Sequence, residues 1–220
     1  MSSRSSRRVI ELEKRLLDDR EYLHPRDLPA DFVEGVVALS DEDAMKLAAR
    51  LFMMDEWRYI WPSAIIFNKH ATARTQITAE YLRPLGDRMN SWGLVDAFSA
   101  IAGPAWREHY VSDDTVMGWT RSSSQWWRRA ALVCTVFLNR KVQGGRGDTS
   151  RTLIVCEALA ADREKMVAKG LSWALRDLCK RDPEAVKQFL ERHEDKLPAL
   201  VKREVRNKLS YGVKNPRRKK

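Results

Sequence analysis

The sequence holds little that would point to a membrane protein, a metalloprotein or a disulfide scaffold. Its longest apolar stretches fall far short of the roughly 20 residues that a transmembrane helix needs. The 3 cysteines, Cys134, Cys156 and Cys179, lie in apolar helical patterns without framework spacing, so we expect reduced core thiols. The 4 histidines are scattered and form no cluster with metal-ligand spacing. We therefore expect neither a metal ion nor a cofactor.

The chain is strongly basic without being a simple basic tail. Its 220 residues include 40 Lys and Arg against 30 Asp and Glu, a net charge of +10. Such a balance in a globular protein favours an acidic partner, with nucleic acid ahead of an anionic membrane. No apolar segment follows the N-terminal MSSRSSRR, so we expect no secretory signal. A cytoplasmic, nucleoid-associated protein without a membrane partner is the resulting expectation.

Helical periodicity covers most of the chain, whereas alternating strand patterns are scarce. Helices of about 10–17 residues joined by short loops are typical of stacked antiparallel pairs. We therefore predict an all-α fold, a right-handed α-solenoid of HEAT-like antiparallel helix pairs with a concave basic groove. The length suits one sizeable core, so we predict a single domain over 1–213, followed by a basic tail over 214–220. We expect the protein to be a monomer.

Glycine and proline mark the expected breaks between helices, among them 84–87 and Gly103-Pro104. Pro183 is expected in the first turn of its helix, where a missing N–H costs little. The predicted helices span 6–19, 29–39, 41–54, 56–70, 73–83, 91–103, 104–110, 113–121, 124–140, 149–160, 163–181, 183–193 and 197–210.

The helix at 164–180 carries a tryptophan on its polar face. At about 100° per residue, one stripe collects the apolar side chains that face the core. The opposite face carries Trp173 together with Lys169, Arg176 and Lys180. An aromatic ring among cations suits nucleic acid, a polyanion that also presents flat, apolar groups. The alternative is an ordinary solvated face on which Lys and Arg stems cover the ring of Trp173.

The helix at 91–103 projects a tryptophan and a carboxylate away from its apolar stripe. Trp92 and Asp96 are four residues apart and share this opposite face with Ser99. A carboxylate in a basic groove repels phosphate, so it suits a cationic substrate or a sugar that develops positive charge. The alternative is a surface Asp paired with a nearby Arg.

The helix that starts at 124 has an arginine inside an apolar stripe. Trp126 and Arg129 lie on that stripe, whereas Arg128 falls on the polar face with Thr135 and Asn139. Arg129 must therefore find a partner or open onto a charged cleft. Asp96 is the natural partner candidate, and such a pair would hold the carboxylate ionised. A purely structural ion pair is the alternative.

These three helices resemble the AlkD family of DNA alkylation-repair glycosylases, which are built from HEAT-like repeats. The resemblance spans about 120 residues but not the first 85. One departure is Gly93, where the family often has an Asp. The matching motifs are Ser91-Trp92-x-x-Val95-Asp96, Trp126-x-x-Arg129-Ala130-Ala131, Lys169-x-x-x-Trp173-x-Leu175-Arg176, Asp182-Pro183-x-x-Val186 and Lys202-Arg203-Glu204.

The resemblance implies a catalytic set and an activity. Two tryptophans and an aspartate face the damaged nucleotide in this family, and an arginine supports the aspartate. The matching residues are Trp92, Trp173, Asp96 and Arg129. The implied activity is hydrolysis of the N-glycosidic bond of positively charged N3- or N7-alkylated purines in duplex DNA, by a monofunctional glycosylase. The alternative is a noncatalytic HEAT-repeat protein that binds branched or distorted DNA, which has no need of Asp96.

The DNA itself requires a wider set of contacts than the catalytic residues. The resemblance implies that the partner is duplex DNA carrying alkylated bases, and the basic charge of the chain favours a nucleic acid in general. The residues expected to bind it are Lys169, Arg176, Lys180, Trp126, Lys202 and Arg203.

Overall fold

The structure, a computed structural model, describes residues 2–18, 28–54 and 56–216. Over these residues the chain forms thirteen α-helices, one 3-10 turn and no strand, which confirms the predicted all-α class. No helix in the described ranges is long and apolar enough to cross a bilayer. Residue 19 of the first predicted helix and residues 217–220 of the predicted tail lie outside the described residues.

The first of two compact units spans Met1–Met89. Its helices are α1 (Ser2–Asp18), α2 (Ala30–Val37), α3 (Asp41–Met53), α4 (Trp57–Lys69), α5 (Ala71–Thr75) and α6 (Ala79–Asp87). Helix α3 packs against α1 and α4, and α2 packs against the same two helices. Phe32, Phe52 and Phe67 are fully buried and fill the core of this unit.

The second unit spans Asn90–Lys220 and is a two-layered stack of helices. Helices α7, α9, α11 and α13 pack side by side in that order, while α8, α10 and α12 pack against them from the next layer. Stacked helix pairs produce this alternation. Its helices are α7 (Trp92–Arg107), α8 (Asp113–Thr120), α9 (Gln125–Asn139), α10 (Thr149–Ala158), α11 (Lys165–Leu178), α12 (Pro183–Arg192) and α13 (Ala199–Tyr211), with the 3-10 turn at Lys141–Gln143.

Several finer predictions are left open by this architecture. The right hand of the solenoid, the HEAT-like character of the pairs, the single domain over 1–213 and the monomeric state stay predictions. Pro183 does occupy the first turn of α12, as expected, and the side chain of Asp182 caps that helix by accepting a hydrogen bond from the Ala185 N–H.

Serine caps fix the start of two helices that carry candidate site residues. The Ser91 hydroxyl accepts a hydrogen bond from the backbone N–H of Leu94, at the start of α7. The Ser124 hydroxyl accepts one from the backbone N–H of Trp126, at the start of α9. Each cap satisfies a backbone donor that the first helical turn leaves unpaired.

The predicted break at Gly103-Pro104 is wrong, because α7 runs through it to Arg107. Pro104 removes the N–H that would bond the carbonyl four residues earlier, which disfavours a helix interior. Tertiary packing overrides this local preference, since Gly103 lies against Phe137 of α9 and Trp106 is fully buried. The separate helices predicted over 91–103 and 104–110 are therefore one helix.

The helix predicted over 73–83 is also wrong, because the chain forms α5 and α6 there with a break at 76–78. The Thr78 hydroxyl accepts a hydrogen bond from the Tyr81 N–H and starts α6. Helix α6 then passes through Pro84 to Asp87, where the sequence indicated a break. The break predicted at 84–87 is therefore wrong, and the cap at Thr78 sets the boundary instead.

Close packing between α7 and α9 makes a glycine substitution informative. A Cβ placed on Gly103 would lie 2.8 Å from the Cβ of Phe137, an atom that cannot move without the backbone. We expect Gly103→Ala to lower the free energy of unfolding by about 1–3 kcal/mol, as overpacking does. Denaturant titration followed by circular dichroism measures this change.

The matched control is Gly118→Ala in α8, where no atom lies within 4 Å of the added Cβ. Alanine loses less backbone entropy than glycine on folding, so this variant should gain roughly 0.5–1 kcal/mol. Equal midpoints for the two variants would contradict the close α7–α9 contact.

Candidate active site

The predicted catalytic side chains converge on one cleft in the second unit. The cleft has a volume of about 270 Å³. Helices α7, α9 and α11 supply seven of its lining residues, and the eighth follows α13. The lining residues are Trp92, Asp96, Arg129, Met166, Lys169, Trp173, Arg176 and Lys214. Adjacent helices of one layer thus bring together residues that are distant in sequence.

The predicted pairing of Asp96 with Arg129 is confirmed. Arg129 Nη2 donates a hydrogen bond to Asp96 Oδ1 at 2.9 Å, and its Nη1 donates to the carbonyl of Met166 at 3.0 Å. Only 13% of the Asp96 side chain and 6% of the Arg129 side chain are exposed. One guanidinium on α9 therefore joins α7 to α11 at the base of the cleft.

Burial raises the pKa of Asp96 above its ordinary value. The charge and hydrogen bond of Arg129 lower this pKa, as does the more weakly acting charge of Arg140. Arg129 thus favours the ionised carboxylate, as predicted from the sequence. Desolvation is nevertheless the larger influence, so the net direction of the shift is upward.

Trp173 is held in place by a network that the sequence did not reveal. Its indole Nε1 donates to Asp177 Oδ2 at 2.8 Å, and the Arg140 guanidinium lies over its ring, 5.4 Å from the centroid. Buried Asp177 also accepts hydrogen bonds from Arg140 Nη2 and Lys180 Nζ, each at 2.7 Å. The ring is thereby fixed at its edge and on one face.

Part of this network had a signal in the sequence. Asp177 follows Trp173 by four residues on one helix, a spacing at which side chains meet. Arg140 lies just beyond the end of α9, and its place over Trp173 depends on how α9 packs against α11. Only the tertiary structure can supply that contact.

Trp92 differs from Trp173 in being largely accessible. It is the first residue of α7, lines the cleft, and is 54% exposed. The exposed indole offers an aromatic face at the edge of the cleft. The cleft therefore has one fixed, half-buried tryptophan and one exposed tryptophan.

A third buried carboxylate, Glu204 of α13, supports two of the cleft cations. Arg176 Nε lies 3.8 Å from Glu204 Oε2, and Lys214 Nζ lies 3.2 Å from Glu204 Oε1. The Ser172 hydroxyl donates to Glu204 at 2.6 Å and accepts from Arg176 Nε at 3.1 Å. The sequence singled out neither Ser172 nor Lys214 for the cleft, since both act through contacts between α11 and the end of the chain.

The remaining predicted DNA-binding residues lie outside the cleft lining. Lys180 is exposed and bonded to Asp177, and Trp126 is half-buried. Lys202 donates to the backbone carbonyl of Glu194, and Arg203 is exposed. Their contacts with DNA stay predictions, whereas Lys169 and Arg176 do line the cleft.

Three side chains that the sequence placed on polar helix faces are buried. Ser99 of α7 is fully buried, as is Thr135 of α9. Buried Asn139 donates a hydrogen bond to Thr152 of α10 at 2.9 Å. The reason is that α9 is surrounded by α7, α8, α10 and α11, so it has no solvent face over most of its length. Arg128 retains a charge partner, donating to Asp162 at 2.7 Å.

The cysteines are free thiols, with Cys134 and Cys156 buried and Cys179 half-buried. Burial raises the pKa of the Cys134 thiol to about 12, which is typical of an inert core position. Among the residues that the structure describes, no group of three or more His, Cys, Asp or Glu side chains could hold a metal ion.

An all-helical unit with a buried carboxylate–arginine pair, two tryptophans and a cation-lined cleft is a candidate nucleic-acid enzyme. A family model described as "DNA alkylation repair enzyme" matches residues 36–209, well over half of the chain. The chain therefore belongs to the family of DNA alkylation repair enzymes, which confirms the resemblance drawn from its motifs. Membership in a DNA repair family implies that the protein binds DNA.

Among solved structures, smu.31 from Streptococcus mutans UA159 is similar to this chain at 20% sequence identity and a TM-score of 0.49. The match covers 93% of this chain and 92% of that one. No curated protein matches the chain at a significant level.

The Asp96–Arg129 pair predicts strong energetic coupling. Arg129→Ala leaves a buried carboxylate unpaired, so we expect it to lower the free energy of unfolding by roughly 3–5 kcal/mol. Asp96→Asn should recover part of that loss, giving a double-mutant coupling energy of about 0.5–3 kcal/mol. Denaturant titration of the four proteins measures the coupling.

The matched control is a second double-mutant cycle, in which Arg128 of the same helix takes the place of Arg129. Arg128 bonds Asp162 instead of Asp96, so the Asp96→Asn and Arg128→Ala changes should add. Additivity in the Asp96/Arg129 cycle as well would mean that the observed ion pair contributes nothing specific.

Proposed function

We propose that the protein is a monofunctional DNA glycosylase that hydrolyses the N-glycosidic bond of positively charged N3- or N7-alkylated purines in duplex DNA. The observation that carries the proposal is the buried Asp96–Arg129 ion pair in a cleft also lined by Trp92 and Trp173. Family membership supports alkylation repair in general. The carboxylate at the base of a basic cleft supports this particular reaction.

The chemistry of the substrate explains why a carboxylate is useful there. An alkylated purine carries a positive charge, so it leaves with the bonding electron pair as a neutral base. Positive charge then develops on the sugar, and Asp96 stabilises it while orienting the attacking water. The water oxygen bonds to C1′ and loses a proton, which leaves an abasic site.

The side chains around Asp96 take supporting roles in this proposal. The faces of Trp92 and Trp173 stabilise the sugar cation through cation–π contacts. Arg129 orients the carboxylate and favours its ionised form against the effect of burial. No lysine is assigned a Schiff-base role, so the enzyme releases the base without cutting the strand.

The proposed substrate is held mainly by charge. Lys169, Arg176 and Lys214 line the cleft and supply positive charge for phosphates that flank the lesion. Lys180, Trp126, Lys202 and Arg203 are proposed as further DNA contacts. The protein would act as a cytoplasmic, nucleoid-associated monomer with no cofactor of its own.

The test of the reaction is base release from a duplex that contains N7-methylguanine. In single-turnover kinetics, we expect Asp96→Asn to reduce the excision rate constant by about 10²–10³-fold, as loss of a preorganised electrostatic group does. Affinity for an unmodified duplex should stay equal or become slightly tighter, because a negative charge leaves the basic cleft.

The matched control for Asp96→Asn is Asp114→Asn, the same chemical change at an exposed position in α8. It should excise at the wild-type rate. Unchanged excision by Asp96→Asn would remove Asp96 from the mechanism. A wild-type protein that binds duplex but releases no base would instead be the noncatalytic binder of branched or distorted DNA.

The raised pKa of Asp96 predicts an acidic limb in the pH profile of excision. The reaction needs the carboxylate, so the single-turnover rate constant should fall as pH falls through a pKa above the ordinary 3.8 of Asp. Phosphates of bound DNA raise the pKa of Asp96 as well, because their negative charge disfavours ionisation of the carboxyl group. Arg129→Met should move the limb to still higher pH.

Two comparisons make the pH profile decisive. The spontaneous loss of the alkylated base is measured in the same buffers without protein and subtracted. The residual activity of Asp96→Asn should lack the acidic limb. A wild-type limb at or below the ordinary pKa of Asp would contradict the effect of burial.

A further inference from the structure

A second cavity in the same unit has a larger volume, about 460 Å³, and a more basic lining than the cleft. It lies where the end of α9 and the 3-10 turn meet the segment that follows α11. We call it the basic cavity. Four of its lining residues are cations and none is acidic: the lining consists of Asn139, Arg140, Lys141, Val142, Lys180 and Arg181.

One buried carboxylate connects the basic cavity to the cleft. Asp177 accepts hydrogen bonds from Arg140 and Lys180 of the cavity and from the indole of Trp173 in the cleft. Burial raises the pKa of Asp177, but the hydrogen bonds and charges of Lys180 and Arg140 lower it by more, so the net shift is downward. Asp177 is thus a single negative charge shared between two cations.

The other two cations have no carboxylate within ion-pair distance among the described residues. Arg181 Nε donates to the carbonyl of Asn139 and its Nη2 to the carbonyl of Gly145, both at 2.7 Å. These neutral partners fix the guanidinium without cancelling its charge. Lys141 is exposed on the 3-10 turn. The basic cavity therefore retains an excess of positive charge.

The C-terminus of α9 explains the position of some of these cations but not of all. Cations near a helix C-terminus are stabilised by the helix dipole, and Arg181 satisfies a carbonyl at the end of α9. Among the residues that the structure describes, the Lys141 side chain makes no hydrogen bond or ion pair that explains its position. Like charges held around one cavity repel each other, and a bound anion relieves that repulsion.

We propose that the basic cavity binds a backbone phosphodiester of duplex DNA, separately from the cleft that holds the damaged nucleotide. The inference deepens the proposed function, because the same duplex occupies both places. Guanidinium groups pinned by carbonyls and by Asp177 lose little freedom on binding phosphate. Val142 is 89% exposed at the same cavity and offers an apolar contact beside the charged backbone.

Lys141→Gln tests the proposal with little risk to the fold, since the side chain is exposed. The measurement is the affinity for an unmodified duplex over a range of salt concentrations. Loss of one phosphate contact should flatten the slope of log K against log salt by about 0.9. The affinity lost over a fourfold rise in salt should therefore be about threefold smaller than for wild type.

Lys187→Gln is the matched control, because it makes the same change of charge on the outer-layer helix α12. Its slope should equal that of the wild type. A wild-type slope for Lys141→Gln would overturn the proposal, as would equal flattening of the slope in both variants. The second result would indicate a long-range effect of net charge without a local contact.

A measurement on the unaltered protein provides an independent readout. Amine-reactive labelling read by mass spectrometry should find Lys141 protected by an unmodified duplex, while Lys187 remains reactive. Reactive Lys141 in the saturated complex would overturn the proposal. Neither measurement requires base excision, so a wild type without glycosylase activity but with a protected Lys141 defeats only the proposed reaction. Active excision with an unprotected Lys141 defeats only the phosphate site.

Discussion

The buried guanidinium of Arg129 is the constraint on which the cleft depends. A charge at this depth must be paired and hydrogen-bonded, or the unit loses several kcal/mol of stability. Arg129 Nη2 bonds Asp96 of α7 and its Nη1 bonds the Met166 carbonyl of α11, while its Nε is buried without a hydrogen-bond partner among the described residues. These bonds fix how α7 and α11 are placed against α9. The same placement sets Trp92 and Trp173 on one cleft.

Buried acids fix the other functional side chains in the same way. Asp177 bonds Trp173 and two cations, and Glu204 supports Arg176 and Lys214. Both acids are almost fully buried, so their bonds act in a low dielectric and hold their partners firmly. Side chains held before substrate arrives need not be ordered during the reaction, which is the basis of electrostatic preorganisation.

The sequence predicted mainly those site residues whose polarity does not match the helix face on which they lie. Trp92, Arg129 and Trp173 are each exceptions on a helical wheel, and Asp96 shares the polar face with Trp92. A helical wheel needs no tertiary information. It failed for α9, whose polar Thr135 and Asn139 are buried because helices surround it. It also had no means of finding Arg140 or Lys214, which follow helix ends and reach the site through packing. The helix break predicted at Pro104 is wrong for the same reason, since packing of α7 against α9 outweighs the local preference of proline against a helix interior.

The burial that raises the pKa of Asp96 has a purpose in the proposed function. A carboxylate with a raised pKa in the folded state binds its proton more tightly there than in the unfolded chain. Its contribution to stability is therefore lost as pH rises through that pKa, so above that pKa the ionised Asp96 costs stability relative to the protonated form. A surface that only binds DNA gains nothing from this cost, because the carboxylate also repels phosphate. A site that must stabilise a sugar cation gains from both features, since a desolvated carboxylate interacts more strongly with positive charge.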